Sequence, residues 1–140
     1  MKRAIVISPT GEPLPLEANA LAAAAARRWP DQIVVKGERD FLPGIALTID
    51  VRPVGAPGFN IDLLTDSTSV HMDGTPDQNI ELAAWLRSLM PADAPRIIVC
   101  DQAWSMHAEL PSGVTANKIR TTIVDHSTPG WDANDPALRG

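Results

Sequence analysis

Ile45-Ala46-Leu47-Thr48-Ile49-Asp50-Val51 puts Ile45, Leu47, Ile49 and Val51 on one side of an extended chain and Ala46, Thr48 and Asp50 on the other. That period of two is the signature of a half-buried strand. Phe59 to Thr65 and Ser69 to Met72 read as two further strands. With no helix between them, three strands in succession imply antiparallel pairing, because a parallel crossover needs a dozen or more residues. Gly55, Pro57 and Gly58 make Val54–Gly58 a turn or exposed loop.

Outward from this centre, each flank supplies a helix. Thr75 is a good N-cap, Pro76 suits the first helical position, and Gln78 completes a capping box. Leu82, Trp85, Leu86 and Leu89 then recur at helical spacing until Met90-Pro91. Upstream, Leu16 to Arg28 is alanine-rich, with Glu17 at its start and Arg27-Arg28 at its end, and Trp29-Pro30 stops it. Ala4-Ile5-Val6-Ile7 and Arg96 to Cys100 read as buried strands, Ile33-Val34-Val35 as a short strand, and Ala103 to Leu110 as a partner of Arg96 to Cys100. The β-branched stretch Ile119 to Val124 suits a strand or the end of a helix, and the strand is the expected form. The expected fold is α+β: one domain over residues 1–126, a largely antiparallel mixed sheet and two main helices packed on it. Residues 127–140, rich in Pro, Gly, Asn and Asp, are expected to form an irregular tail pinned by Trp131.

Composition narrows the function classes. A chain of 140 residues with 44% apolar and 21% charged residues suits a single soluble core. A net charge of −5 with no tyrosine, two phenylalanines and four tryptophans argues against nucleic acid as a partner. The apolar runs Ala4–Ile7 and Ala20–Ala26 are too short for a signal peptide core or a membrane span. Cys100 is the lone cysteine, which points to a reducing, cytoplasmic setting. At the end of a buried strand it is expected to serve as a small apolar residue. No phosphate-binding loop, dinucleotide turn, nucleophile elbow or Cys-x-x-Cys pair is present, and no cofactor is expected.

Two chemical readings remain. His71-x-Asp73 and His107-x-Glu109 each have strand spacing, so each pair shares a face. On neighbouring strands, the four would suit a divalent metal in a small hydrolase or nuclease; otherwise they are polar faces of half-buried strands. Asp125-His126 is a less suitable addition, since adjacent residues on a strand face opposite ways.

The charge map leads elsewhere. Between Arg52 and Arg87 there is no lysine or arginine, while Asp62, Asp66, Asp73, Asp77 and Glu81 all fall there. The chain has 17 acidic and 12 basic residues, so this window carries the whole net charge and the remainder is balanced. Asp125, Asp132 and Asp135 lie in a second basic-free stretch, between Arg120 and Arg139. Helix capping accounts for Asp73 and Asp77, but not for Asp62 or Asp66. An acidic surface of this kind steers a basic protein partner.

In length, charge and layout the chain resembles the immunity proteins of bacterial contact-dependent growth inhibition systems. That resemblance implies a protein without catalysis that binds and blocks a cognate toxin, a nuclease among the candidates. Asp62, Asp66, Asp73, Asp77 and Glu81 are then the expected partner-binding residues, and a basic toxin domain the expected partner. A third reading is a structural subunit of a larger assembly, with the Val54–Gly58 loop and the tail as contacts.

Overall fold

The computed structural model describes residues 1–37 and 44–138. Its strands are β1 (Ala4–Ile7), β2 (Ile33–Gly37), β3 (Ile45–Val51), β4 (Phe59–Leu64), β5 (Ser69–Met72), β6 (Ile98–Asp101), β7 (Met106–Glu109) and β8 (Val124–Asp125). The helices are α1 (Ala18–Arg28), α2 (Pro76–Ser88) and α3 (Ala116–Thr121). All eight strands join one sheet in the order β2-β3-β4-β5-β1-β6-β7-β8, and every pairing is antiparallel. The expected α+β fold with an antiparallel sheet is the one observed. The N-terminal strand is inserted at its centre, between β5 and β6.

Register explains both faces. Leu47, Leu63, Val70, Val6, Val99 and Ala108 stand opposite one another across six strands, and all six are buried. Leu21, Ala25, Leu82, Leu86 and Ile119 from the three helices join the same core. The helices therefore share one face of the sheet. One residue along, on the other face, runs Lys36–Thr48–Asp62–His71–Ile5–Cys100–His107–Val124. This polar-rich row governs where the titratable groups lie.

The helix starts show two kinds of N-cap. At α2 the Thr75 hydroxyl accepts from the Gln78 amide at 3.2 Å, and Gln78 Oε1 accepts from the Thr75 amide at 2.9 Å. At α1 the helix begins at Ala18, and Glu17 is an N-cap residue with no side-chain cap bond. Leu16 is buried ahead of the helix.

The expected strand over Ile119–Val124 is not formed. Thr115 caps α3 by accepting from the Lys118 amide, and Ile119 is buried in the core shared with α2. Capping and burial outweigh the β preference of Ile119, Thr121 and Thr122. Only Val124 and Asp125 remain as strand. Likewise Trp104 lies in the β6–β7 turn with φ of 55° and belongs to no strand. The tail turns repeatedly up to a short 3-10 helix at Pro136–Leu138, where Leu138 is buried. Residues 139–140 of the expected tail, with Arg139, lie outside the described residues. No helix among those described is long and apolar enough to cross a membrane.

Candidate functional site

The five acids of the basic-free window do not share one surface: Asp62 lies on one face of the sheet, Asp77 and Glu81 on a helix packed against the other, and Asp66 and Asp73 in the segments flanking β5. Asp62 belongs to the polar row and accepts from the Thr48 hydroxyl at 2.6 Å. Asp66 sits in a 3-10 turn at Thr65–Ser67, in the left-handed region with φ of 65°. Asp73 follows β5; its carboxylate takes the Asn60 amide at 2.6 Å and the Asn60 side chain at 3.1 Å. Asp77 and Glu81 stand four apart on α2, which packs on the opposite face.

Asp77 and Glu81 rim a cavity of about 310 Å³ between α2, the end of α1 and the loop after β3. Its apolar lining comes from Trp29, Phe59, Leu82, Pro53 and Ala56. Trp29 is here because Pro30 ends α1 and leaves the tryptophan at its C-cap. The Trp29 ring meets Phe59 edge-on at 5.7 Å and Trp85 at 5.0 Å. The Arg28 guanidinium lies 5.3 Å from the Trp29 centroid and 5.6 Å from that of Trp85. From α3, Arg120 approaches Asp77 at 3.7 Å and Glu81 at 3.2 Å. The acids nevertheless face solvent, with side chains 86% and 55% exposed. Gln78 Nε2 donates to the Pro57 carbonyl at 2.8 Å and holds the loop wall against α2. That loop also carries Val54, 88% exposed.

The two histidine pairs do not converge. His71 on β5 and His107 on β7 share one row, yet β1 and β6 lie between them, a separation of about 14 Å at normal strand spacing. Because β5 and β7 run in opposite directions, Asp73 and Glu109 extend toward opposite ends of the sheet. His71 instead faces Asp62 across the β4–β5 pair. It lines a cavity of about 250 Å³ with Arg3, Asp73 and Gln102. Burial lowers its pKa, with Asp62 opposing the shift. Among the described residues, no group of three or more His, Cys, Asp or Glu is placed to hold a metal ion.

His107 belongs to a different cluster. Its Nδ1 is 2.8 Å from Nε2 of His126, and Nδ1 of His126 is 2.7 Å from the Trp104 carbonyl. Trp131 stacks on His126 at 3.7 Å with 10° between the planes. Arg96 bonds Glu109 at 2.9 and 2.6 Å and Asp135 at 2.9 and 2.5 Å. Burial, then His126, lowers the His107 pKa, while Glu109 and Asp135 oppose and Arg96 reinforces the shift. Cys100 is buried beside His107 in the polar row. Burial and Asp101 push its thiol up to about 11, so it is held as the neutral, unreactive form.

Comparison with protein-family models, with curated proteins and with solved structures gives no match.

Sequence reading did not single out Trp29, Phe59, Arg28 and Arg120 around the groove, nor Arg96, Trp104 and Asp135 around the histidines. Arg28-Trp29-Pro30 offers a local signal, an aromatic residue left at the point where a helix must stop. The remaining associations arise from pairing between distant segments, which no local pattern encodes.

Proposed function

We propose that the protein is a binding module that takes a basic, apolar-tipped segment of a partner protein into the groove between α1 and α2. An immunity protein neutralising a basic toxin is the specific form of this reading. One observation carries it: Asp77 and Glu81 stand exposed at the rim of an aromatic-lined groove. Binding energy in protein interfaces concentrates where a large apolar side chain fills a pocket, with polar groups around it. Trp29, Phe59 and Leu82 supply the pocket. An incoming lysine or arginine competes with Arg120 for the two carboxylates, and its approach is favoured by the chain's net charge of −5. Asp62, Asp66 and Asp73 contribute to that field from outside the groove.

A phage-displayed random peptide selection against the intact protein, repeated with the Asp77→Lys/Glu81→Lys variant, tests this reading. The expected binders pair a large apolar residue with lysine or arginine, and the variant does not retain them. Binders that are acidic, or that hold equally well to the variant, contradict the groove. Protection against a basic toxin on co-expression, lost in the same variant, tests the immunity form.

A further inference from the structure

Where β1 begins and β5 and β6 finish, Arg3, Asp62, His71, Asp73 and Gln102 line the cavity of about 250 Å³. Part of this set is already engaged. Both Asp73 oxygens accept from Asn60, and one Asp62 oxygen accepts from Thr48. The rest is open. Among the described residues, the side chains of Arg3, His71 and Gln102 and the second Asp62 oxygen have no hydrogen-bond partner. Burial lowers the His71 pKa, so the ring is neutral near pH 7 and one of its nitrogens accepts. Arg3 holds a φ of 47°, in the left-handed region, and its carbonyl is fixed by the Gln102 amide at 3.0 Å. Such a conformation is uncommon for a residue with a side chain, and conformations of this kind gather at ligand sites. Arg3 and Asp62 do not close on each other, because β5 lies between β4 and β1 and two strand spacings are about 10 Å. A cation and an anion, each with unused hydrogen-bonding capacity, therefore face one small cavity.

We propose that this cavity binds a free α-amino acid with an apolar side chain. The ligand carboxylate meets the planar Arg3 guanidinium, with the Gln102 amide as a further donor. The ligand ammonium meets the open Asp62 oxygen and the accepting His71 nitrogen. A ligand of one sign fits less well, since a carboxylate alone faces Asp62 and Asp73 and an amine alone faces Arg3. A second cavity, of about 920 Å³, shares Arg3, Asp73 and Gln102 with the first. Pro57, Pro76, Ala103 and Met106 give it apolar walls. Lys2 and Asp101 also line it, and Asp101 is engaged by Ser105 and the Met106 amide. The ligand's side chain extends there. Apolar volume beside a few convergent polar groups is the usual make-up of a small-molecule site. Neither cavity shares a residue with the groove lined by Trp29 and Phe59.

Titration of the full chain with L-leucine, L-phenylalanine, isocaproate and isoamylamine, followed by amide chemical shifts, tests the assignment. At least one of the two amino acids is expected to bind with a Kd below about 1 mM, moving the signals of Arg3, His71 and Gln102. Isocaproate and isoamylamine, which each keep one charge of leucine, are expected to bind about tenfold more weakly or worse. Arg3→Gln and Asp62→Asn, the latter keeping an oxygen for Thr48, are each expected to weaken amino-acid binding by about tenfold or more. Asp77→Lys/Glu81→Lys, which alters only the groove, is expected to leave it unchanged. Absence of shifts with both amino acids up to about 10 mM overturns the proposal. So does an analogue of one charge that binds as tightly as leucine, or an affinity for the amino acid that survives both Arg3→Gln and Asp62→Asn.

Discussion

His107 Nδ1 and His126 Nε2 share a hydrogen bond of 2.8 Å, and for neutral rings the donor follows from what surrounds the pair. Nδ1 of His126 faces the Trp104 carbonyl, which only accepts, so Nδ1 carries the hydrogen. In a neutral imidazole the other nitrogen is then the acceptor. His107 accordingly holds its proton on Nδ1, and its bare Nε2 lies 3.8 Å from Glu109 Oε2. The chain of bonds runs from β7 through the residue after β8 to the β6–β7 turn. Trp131 of the tail covers it.

Acidification is expected to destabilise the protein before its carboxylates titrate. His71 and His107 both have pKa values lowered from 6.5 by burial. The unfolded chain therefore takes up protons that the native state refuses. Their contribution is present above about 6.5 and is lost as the pH falls from there through the folded values. The groups facing His107 are His126, Glu109, Arg96 and Asp135, and Asp62 faces His71. The melting temperature of the wild type should drop between pH 7 and 5. In the His71→Asn/His107→Asn variant the slope should be shallower, the asparagine at 107 retaining a donor toward His126. Parallel profiles would show that neither histidine is the group responsible.

Arg96 holds the tail to the sheet. Its planar guanidinium reaches Glu109 on β7 and Asp135 in the tail together, a geometry that a lysine ammonium does not reproduce. In Arg96→Met, and nearly as much in Arg96→Lys, amide exchange at Asp135 and Leu138 should accelerate. Exchange at Val6 and Val70 in the central strands should not. Unchanged protection at Leu138 would mean that Trp131 and Leu138 suffice to dock the tail.

Arg87 is a buried cation satisfied wholly by carbonyls. Its Nε donates to the Leu110 carbonyl at 2.9 Å, and Nη1 donates to Pro91 at 3.0 Å and Met90 at 3.3 Å. These bonds fasten the end of α2 to the segment after β7. Arg87→Met keeps the apolar stem and orphans the carbonyls, which should cost about 2–4 kcal/mol. Denaturant unfolding should show a lower midpoint with an unchanged slope. A loss below about 1 kcal/mol would mean that water replaces the guanidinium.

Local chemistry was legible in the sequence where one segment carried its own signal. Thr75, Pro76 and Gln78 announce α2, and the alternation over Ile45–Val51 announces β3 and, with the strands after it, antiparallel pairing. What strand neighbours what was not legible. His71 and His107 have identical local patterns, but only the insertion of β1 between β5 and β6 sets them in different surroundings. His126 reaches His107 because β8 pairs with β7, and the short helix at Ala116–Thr121 is what delivers β8 there. The five acids are continuous in sequence, whereas the sheet places Asp62 on one face and Asp77 and Glu81 on the other.

Reception of a basic partner at the groove rim is read most directly from the association rate of such a partner as salt is varied. A basic peptide recovered by phage selection is the probe, read against Asp77→Asn/Glu81→Gln and against Asp62→Asn/Asp66→Asn. Long-range attraction acts before contact and so appears in the association rate. The screening length falls from about 10 Å at 0.1 M salt to about 3 Å at 1 M. The rim pair should slow association most at low salt, with the difference closing as salt rises, and should also hasten dissociation through the lost contacts. The Asp62/Asp66 pair should slow association more weakly and leave dissociation unchanged. Equal association and dissociation rates for the rim variant and the wild type at low salt would show that the rim does not receive a basic partner.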